Sequence, residues 1–235
     1  MLGKLRLARF GLPVAFACAL TCLAQDPPPA GKKPEREPTT TLFFARTGES
    51  TGESLLGPYT AAIHYLEFLQ IRDRWILPDI GYINFGHGNY HEYYIGGGRT
   101  LIENRYTSFD QELLYLGTAG SAAGGAKYLQ PWSMLRVRFT PKFTNETVYF
   151  LYLPVNHSAR FHQVLERAKF EYTLQRHWKI GAGYAGVKLP GASLINKPLL
   201  TTTISTKAGA FEFWLQKIPG GAEVQLRYAL VYTSR

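Results

Sequence analysis

From Thr41 onward, apolar and polar residues alternate with a period of two. In the last segment, Ala222, Val224, Leu226, Tyr228, Leu230 and Tyr232 fall on one face, and Glu223, Gln225 and Arg227 on the other. Phe211, Phe213 and Leu215 alternate with Glu212 and Gln216. Ala168, Phe170, Tyr172 and Leu174 alternate with Arg167, Lys169, Glu171, Thr173 and Gln175, and Leu135, Val137 and Phe139 with Arg136 and Arg138. Successive side chains of a strand point to opposite faces, so this period predicts β-structure throughout.

Four features separate a membrane barrel from a soluble one. The apolar faces are rich in Tyr and Phe, which suits girdles at two membrane interfaces. The opposite face carries charges at neighbouring positions, as in Arg167-x-Lys169-x-Glu171, where a small soluble barrel would need its core. The predicted strands run to about ten residues, the length a tilted strand needs to cross a bilayer. No segment after the leader described below is apolar enough for a transmembrane helix, so a membrane reading rests on strands.

Read back from the C-terminus, the connections alternate in length. Arg176-His177, Thr206 to Gly209 and Ile71 to Arg74 are short; Leu189 to Lys197, Asn156 to Gln163 and Gly117 to Gln130 are longer. Outer-membrane barrels pair short periplasmic turns with longer outer loops. Ile218-Pro-Gly-Gly221 departs from this as a short outer hairpin. Eleven strands follow from Tyr59 to Tyr232, and Thr41 to Arg46 supplies a twelfth. The expectation is an all-β, up-and-down antiparallel transmembrane barrel of about twelve strands, with ten as the alternative. Ala61 to Ile71 alternates poorly and is also compatible with a helix.

The chain has 235 residues, a single-domain length for an all-β barrel. Its first nine residues hold Lys4, Arg6 and Arg9 and no acid, and Phe10 to Ala24 is apolar but short for a membrane span. Cys22-Leu-Ala24 puts small residues where a signal peptidase reads, which predicts a signal peptide over 1–24. Its removal would leave 211 of the 235 residues and lower the net charge from +9 to about +6. Cys18 and Cys22, the two cysteines, both lie in the leader, so a mature chain would hold no disulfide and no thiolate metal site. Residues 25–40 carry five prolines among charges and predict a disordered linker, with the barrel domain over 41–235. The basic residues form no block, so nucleic acid is not an expected partner.

The C-terminus resembles bacterial outer-membrane β-barrel proteins as a broad class. Gln225, Leu230 and Tyr232 occupy the polar, apolar and aromatic places of their terminal assembly signal. Arg227 stands where a glycine is common, and Thr233-Ser-Arg235 follow the aromatic residue. The hairpin from Phe170 to Val187 is similar to those of the same class. The resemblance implies an outer-membrane location in a Gram-negative-type bacterium, contact with outer-membrane lipid and insertion by the barrel assembly machinery. It implies no particular activity.

Candidate chemistry is sparse. His157-Ser158, with His162 and Glu166 nearby, is the strongest set for an outer-membrane lipid hydrolase, but adjacent strand residues face opposite ways. His87, His91 and Glu92 have a helical zinc interval in a segment whose glycines oppose a helix. Gly96-Gly-Gly98 lacks the Lys-Ser/Thr of a phosphate loop; it and Gly181, Gly183 and Gly186 read as places of close strand approach. Thr47-Gly-Glu-Ser50 recurs at Thr51 to Ser54, too briefly for a repeat fold, with Glu49 and Glu53 a remote calcium option. No catalytic residue, metal site or cofactor is assigned.

The face opposite the apolar one is the informative surface. It is expected to line the lumen with Arg136, Arg138, Arg167, Lys169, Lys179, Lys207 and Arg227, against Asp110, Glu112, Glu171, Glu212 and Glu223. These charges either pair and plug the barrel or line a narrow path for small, anionic solutes. The function expected is therefore a narrow channel or a structural surface barrel. A lipid hydrolase and a soluble periplasmic barrel around an apolar ligand remain as alternatives.

Overall fold

The computed structural model describes residues 38–51, 53–54, 57–58, 61–85, 89–121 and 124–234. The expected signal peptide over 1–24, the proline-rich stretch 25–37, Tyr59 and His87 lie outside the described residues. Twelve long strands close into an antiparallel barrel. They are β1 (Thr40–Thr51), β4 (Ala61–Arg72), β5 (Trp75–Phe85), β6 (Tyr90–Glu103), β7 (Thr107–Ala119), β8 (Lys127–Arg138), β9 (Phe143–Pro154), β10 (His162–Gln175), β11 (Trp178–Lys188), β12 (Ile195–Thr206), β13 (Gly209–Ile218) and β14 (Gly221–Thr233). A minimal hairpin, β2 (Glu53–Ser54) with β3 (Gly57–Pro58), sits in the connection between β1 and β4.

β1 closes the cylinder. It pairs along its whole length with β14, from Thr40–Thr233 to Thr51–Ala222, and on its other edge with β4, from Thr40–Ile71 to Ser50–Ala61. Each of the twelve barrel strands is paired on both edges, which is the condition for spanning a bilayer with β-structure. Ala61 to Ile71, for which a helix was an alternative, is strand: its irregular pattern is absorbed by a register shift against β5 between Leu69 and Ile71.

The polarity is inverted relative to a soluble protein. Leu200, at the middle of β12, is 59% exposed on the outer surface, whereas Arg227 on β14 is 2% exposed inside. The outer face also presents Leu113, Tyr115, Phe213, Leu215 and Val224, while Glu112, Lys169 and Glu223 are buried within. Water would impose the opposite arrangement; lipid imposes this one. Trp75, Tyr106, Phe139, Tyr172 and Trp178 are exposed near the short-turn end of the barrel, and Tyr82, Tyr93 and Tyr115 toward the other. Nine residues separate Tyr106 from Tyr115, which at ~3.3 Å per residue and a tilt near ~40° is about 23 Å of height, close to the apolar band of such barrels.

Several polar side chains on the outward parity of the wall are paired locally. Ser133 donates to Gln111 Oε1 (2.8 Å), and Gln111 Nε2 donates to the Trp132 carbonyl (2.8 Å). Asn145 Nδ2 donates to the Lys169 carbonyl and accepts from Thr147. Lipid offers no partner, so pairing within the wall removes most of the cost of exposing these groups.

Turn chemistry fixes the two ends. Asp73 and Arg74 both take positive φ (50° and 62°), the conformation that matches a two-residue turn to the twist of its strands. The short turns 73–74, 104–106, 139–142, 176–177 and 207–208 lie at one end, with Thr40 and Thr233 beside them. The opposite end carries the longer connections and the tight 219–220 turn.

Candidate functional site

The lumen is divided into two chemical sectors. β4 to β7 turn Glu67, Asp79, Glu92, Asp110 and Glu112 inward and, among the described residues, no base. β8 to β14 and β1 supply Arg46, Arg136, Arg167, Lys169, Lys197 and Arg227, interleaved with Glu146, Glu166, Glu171, Glu212 and Glu223. Hydroxyls do most of the work in the acidic sector. Tyr94 donates to Glu67 (3.0 Å), Thr100 to Asp110 (2.7 Å), and Tyr90 and Tyr152 to Glu92 (2.7 and 3.1 Å). Asp79 Oδ1 and Glu112 Oε2 are buried with no hydrogen-bond partner among the described residues.

Tyr94 reaches Glu67 because Gly81 leaves room. A Cβ on Gly81 would stand 2.1 Å from the Tyr94 ring, so the tyrosine lies flat against a bare backbone. Its hydroxyl then sits 2.5 Å from that of Tyr65. The glycines at 96, 98, 181 and 183 do the same for strand neighbours: each ideal Cβ meets a backbone or side-chain atom of the adjacent strand within 2.0–2.5 Å. They permit close approach of strands.

At mid-height an ion-pair network crosses the lumen. Arg46 on β1 bonds Glu166 on β10 (3.0 Å), five strands around the wall. Arg227 on β14 bonds the same Glu166 oxygen (3.1 Å), and Arg167 bonds its other oxygen (2.6 Å). Arg167 also bonds Glu146 (2.6 Å), which Arg136 bridges to Asp110 with contacts of 3.3 and 3.2 Å. Lys169 pairs with Glu212 and lies 3.4 Å from Glu171. The Arg227 guanidinium covers the Trp214 ring, 3.2 Å from its centroid. Trp214, Arg227 and Lys169 are all buried, so this layer is packed.

The network depends on a bulge. Leu165 pairs with Tyr149 and Arg167 with Val148, leaving Glu166 as an extra residue. Glu166 and Arg167 therefore both project inward although they are consecutive.

Above the network, toward the longer connections, lies a vestibule of about 570 Å³. Arg46, Glu166, Trp214 and Arg227 form its floor. Tyr65, Tyr94, Leu114, Leu116, Trp132 and Tyr152 form much of one wall, and Lys197, Gln216, Glu223 and Gln225 the other.

The structure places the residues singled out in the sequence as follows. Arg136, Arg167, Lys169, Glu171, Glu212 and Arg227 join the network, and Glu223 bonds Gln225 beside it. Asp110 and Glu112 sit in the acidic sector. Lys179 is half-buried opposite Thr203, and Arg138 is exposed at the end of β8. Lys207 is exposed in the 207–208 turn and not on a strand, because β12 ends at Thr206.

His157 and Ser158 are exposed in the connection between β9 and β10, with no hydrogen bond between them. His162 instead stacks on Tyr152, with ring centroids 3.9 Å apart. His91 Nδ1 lies 2.6 Å from the Tyr82 hydroxyl on the outer face. The sequence pattern did not place Arg46 or the inward aromatic residues in the lumen, and it offered Glu166 only beside His157-Ser158. A signal for Glu166 existed: the simple alternation would have placed its carboxylate in lipid, at a cost of a few kcal/mol.

No family model matches the chain, and no curated protein matches it. Solved structures do. The KdgM porin superposes with a TM-score of 0.56 at 10% identity, covering 83% of this chain and 99% of that one. The NanC porin gives 0.55 at 8% identity, over 82% and 100%. An outer-membrane channel from Pseudomonas putida F1 gives 0.52 at 12% identity, over 89% and 100%. At such identities the likeness is one of fold. The chain is a closed twelve-stranded barrel that shares its fold with these bacterial outer-membrane porins and channels.

Proposed function

We propose that the protein is a narrow outer-membrane channel for small solutes. One observation carries the reading: a closed barrel turns its apolar side chains outward and holds its charges around a vestibule that ends on a polar constriction. Lipid would solvate the outside, and the loop-side mouth would face the cell exterior. Residues 1–24 would direct export, residues 25–40 would be a linker ahead of the barrel domain 41–235, and the barrel assembly machinery would insert it. The porins and channels that share the fold support this reading.

The constriction would act as the selectivity filter. Its charges are carried on long side chains held by ion pairs, so a passing ion exchanges one partner for another and the backbone stays in place. The density of the Arg46–Glu166–Arg227 contacts favours a second reading, a plugged structural barrel. Planar-bilayer recording separates the two. Discrete single-channel steps from the purified protein are expected; a silent wild type, and a silent Glu166→Ala variant in which the central carboxylate is gone, would leave the structural barrel.

A further inference from the structure

The vestibule has more specific chemistry than a general diffusion pore requires. Its volume of about 570 Å³ is that of a small-molecule pocket. Its carboxylates are already engaged: Glu92 accepts from Tyr90 and Tyr152, Glu166 from Arg46 and Arg227, and Glu223 from Gln225. The groups left over can donate. Gln130 and Gln216, on facing walls and each 4% exposed, have side-chain amides with no hydrogen-bond partner among the described residues. Arg46 Nε is buried and unpartnered. Lys197 lines the cavity and has no carboxylate within ion-pair distance among the described residues.

Leu114, Leu116, Val164, Val187, Ile195 and Ile218 contribute aliphatic surface to the same cavity, which the rings of Trp132 and Tyr152 also line. Such surface cannot replace the water that a sugar's many hydroxyls would lose on entry. It suits a flat apolar body, and the unspent donors suit one acceptor-rich head.

We infer that the vestibule is a saturable binding site for a small aromatic or alicyclic molecule bearing one carboxylate. The apolar wall takes the ring; Lys197, with Gln216 on the neighbouring strand, takes the carboxylate. The inference deepens the channel reading by naming the solute class, and rests on it for the route onward but not for binding itself.

Binding is tested on the purified full barrel in detergent by tryptophan fluorescence, since Trp132 and Trp214 line the cavity while Trp75 and Trp178 lie on the outer surface. The probes are benzoate, benzyl alcohol and galacturonate. A saturable change with benzoate, weaker with benzyl alcohol and absent with galacturonate, is expected. Lys197→Gln should weaken benzoate about tenfold more than benzyl alcohol, and Gln216→Leu should move the same ratio in the same direction. Heat-modifiable gel mobility verifies that each variant is folded.

A linear benzoate titration, equal binding of galacturonate, or an unchanged ratio in both folded variants would overturn the inference. Saturable binding without conductance would sink the channel reading alone. Conductance without saturable binding would sink this inference alone.

Discussion

The Arg227 guanidinium lies 3.2 Å from the centre of the Trp214 ring, on the neighbouring strand, and bonds Glu166 from the far side of the lumen. One cation is thus sandwiched between a π-face and a carboxylate in a buried layer. Trp214→Ala would remove the ring and open a void, at a cost of about 3–5 kcal/mol by analogy with other buried tryptophans. The expected readout is a lower temperature for the loss of the fast-migrating folded form on gels.

Glu166 is the hub for three arginines. Glu166→Gln keeps the shape but removes the charge, leaving Arg46 and Arg227 without their shared anion. The variant should shift the reversal potential toward anion preference, and should lose stability of about 3 kcal/mol or more from an uncompensated buried charge. An unchanged reversal potential would mean that ions do not pass this layer.

Arg136 links the acidic sector to the network through Asp110 and Glu146, and Arg138 stands free at the end of the same strand. Arg136→Glu with Arg138→Glu places two further carboxylates beside two existing ones. The double variant should lower anion preference in planar bilayers. The single Arg138→Glu should have the smaller effect, because Arg138 makes no ion pair among the described residues.

Much of this architecture is legible in the sequence because the bilayer enforces a strict period. Leu226 and Arg227 alternate cleanly, and the two sides of the wall follow from them. The vestibule was not legible, for a physical reason. Its wall carries aromatic residues inward next to aromatic residues outward, as in Tyr93-Tyr94 and Phe213-Trp214-Leu215, so the contrast between faces disappears. Glu166 escaped because a bulge adds one residue and reverses the parity of everything before it. Arg46 lies in a segment where Leu42, Phe43 and Phe44 run together without alternation.

Gly81 gives a test of local packing. Gly81→Ala would place a methyl group inside the Tyr94 ring and force the tyrosine away from Glu67 and Tyr65. Overpacking of this kind costs about 1–3 kcal/mol. Gly81→Ala with Tyr94→Leu should be less destabilised than the sum of the two single changes, measured by thermal unfolding in detergent.

Which way the strands turn their side chains separates a membrane barrel from a soluble one. Single cysteines report this cleanly, because Cys18 and Cys22 are the chain's two cysteines and both precede residue 25. Spin labels at Leu200→Cys and Phe213→Cys, in protein reconstituted into lipid vesicles, should relax strongly with oxygen and weakly with a water-soluble nickel chelate. A label at Gln130→Cys, in the vestibule, should be poorly reached by oxygen from the lipid. Labels at Leu200 and Phe213 that respond to the chelate and are shielded from oxygen would contradict the membrane barrel and everything built on it.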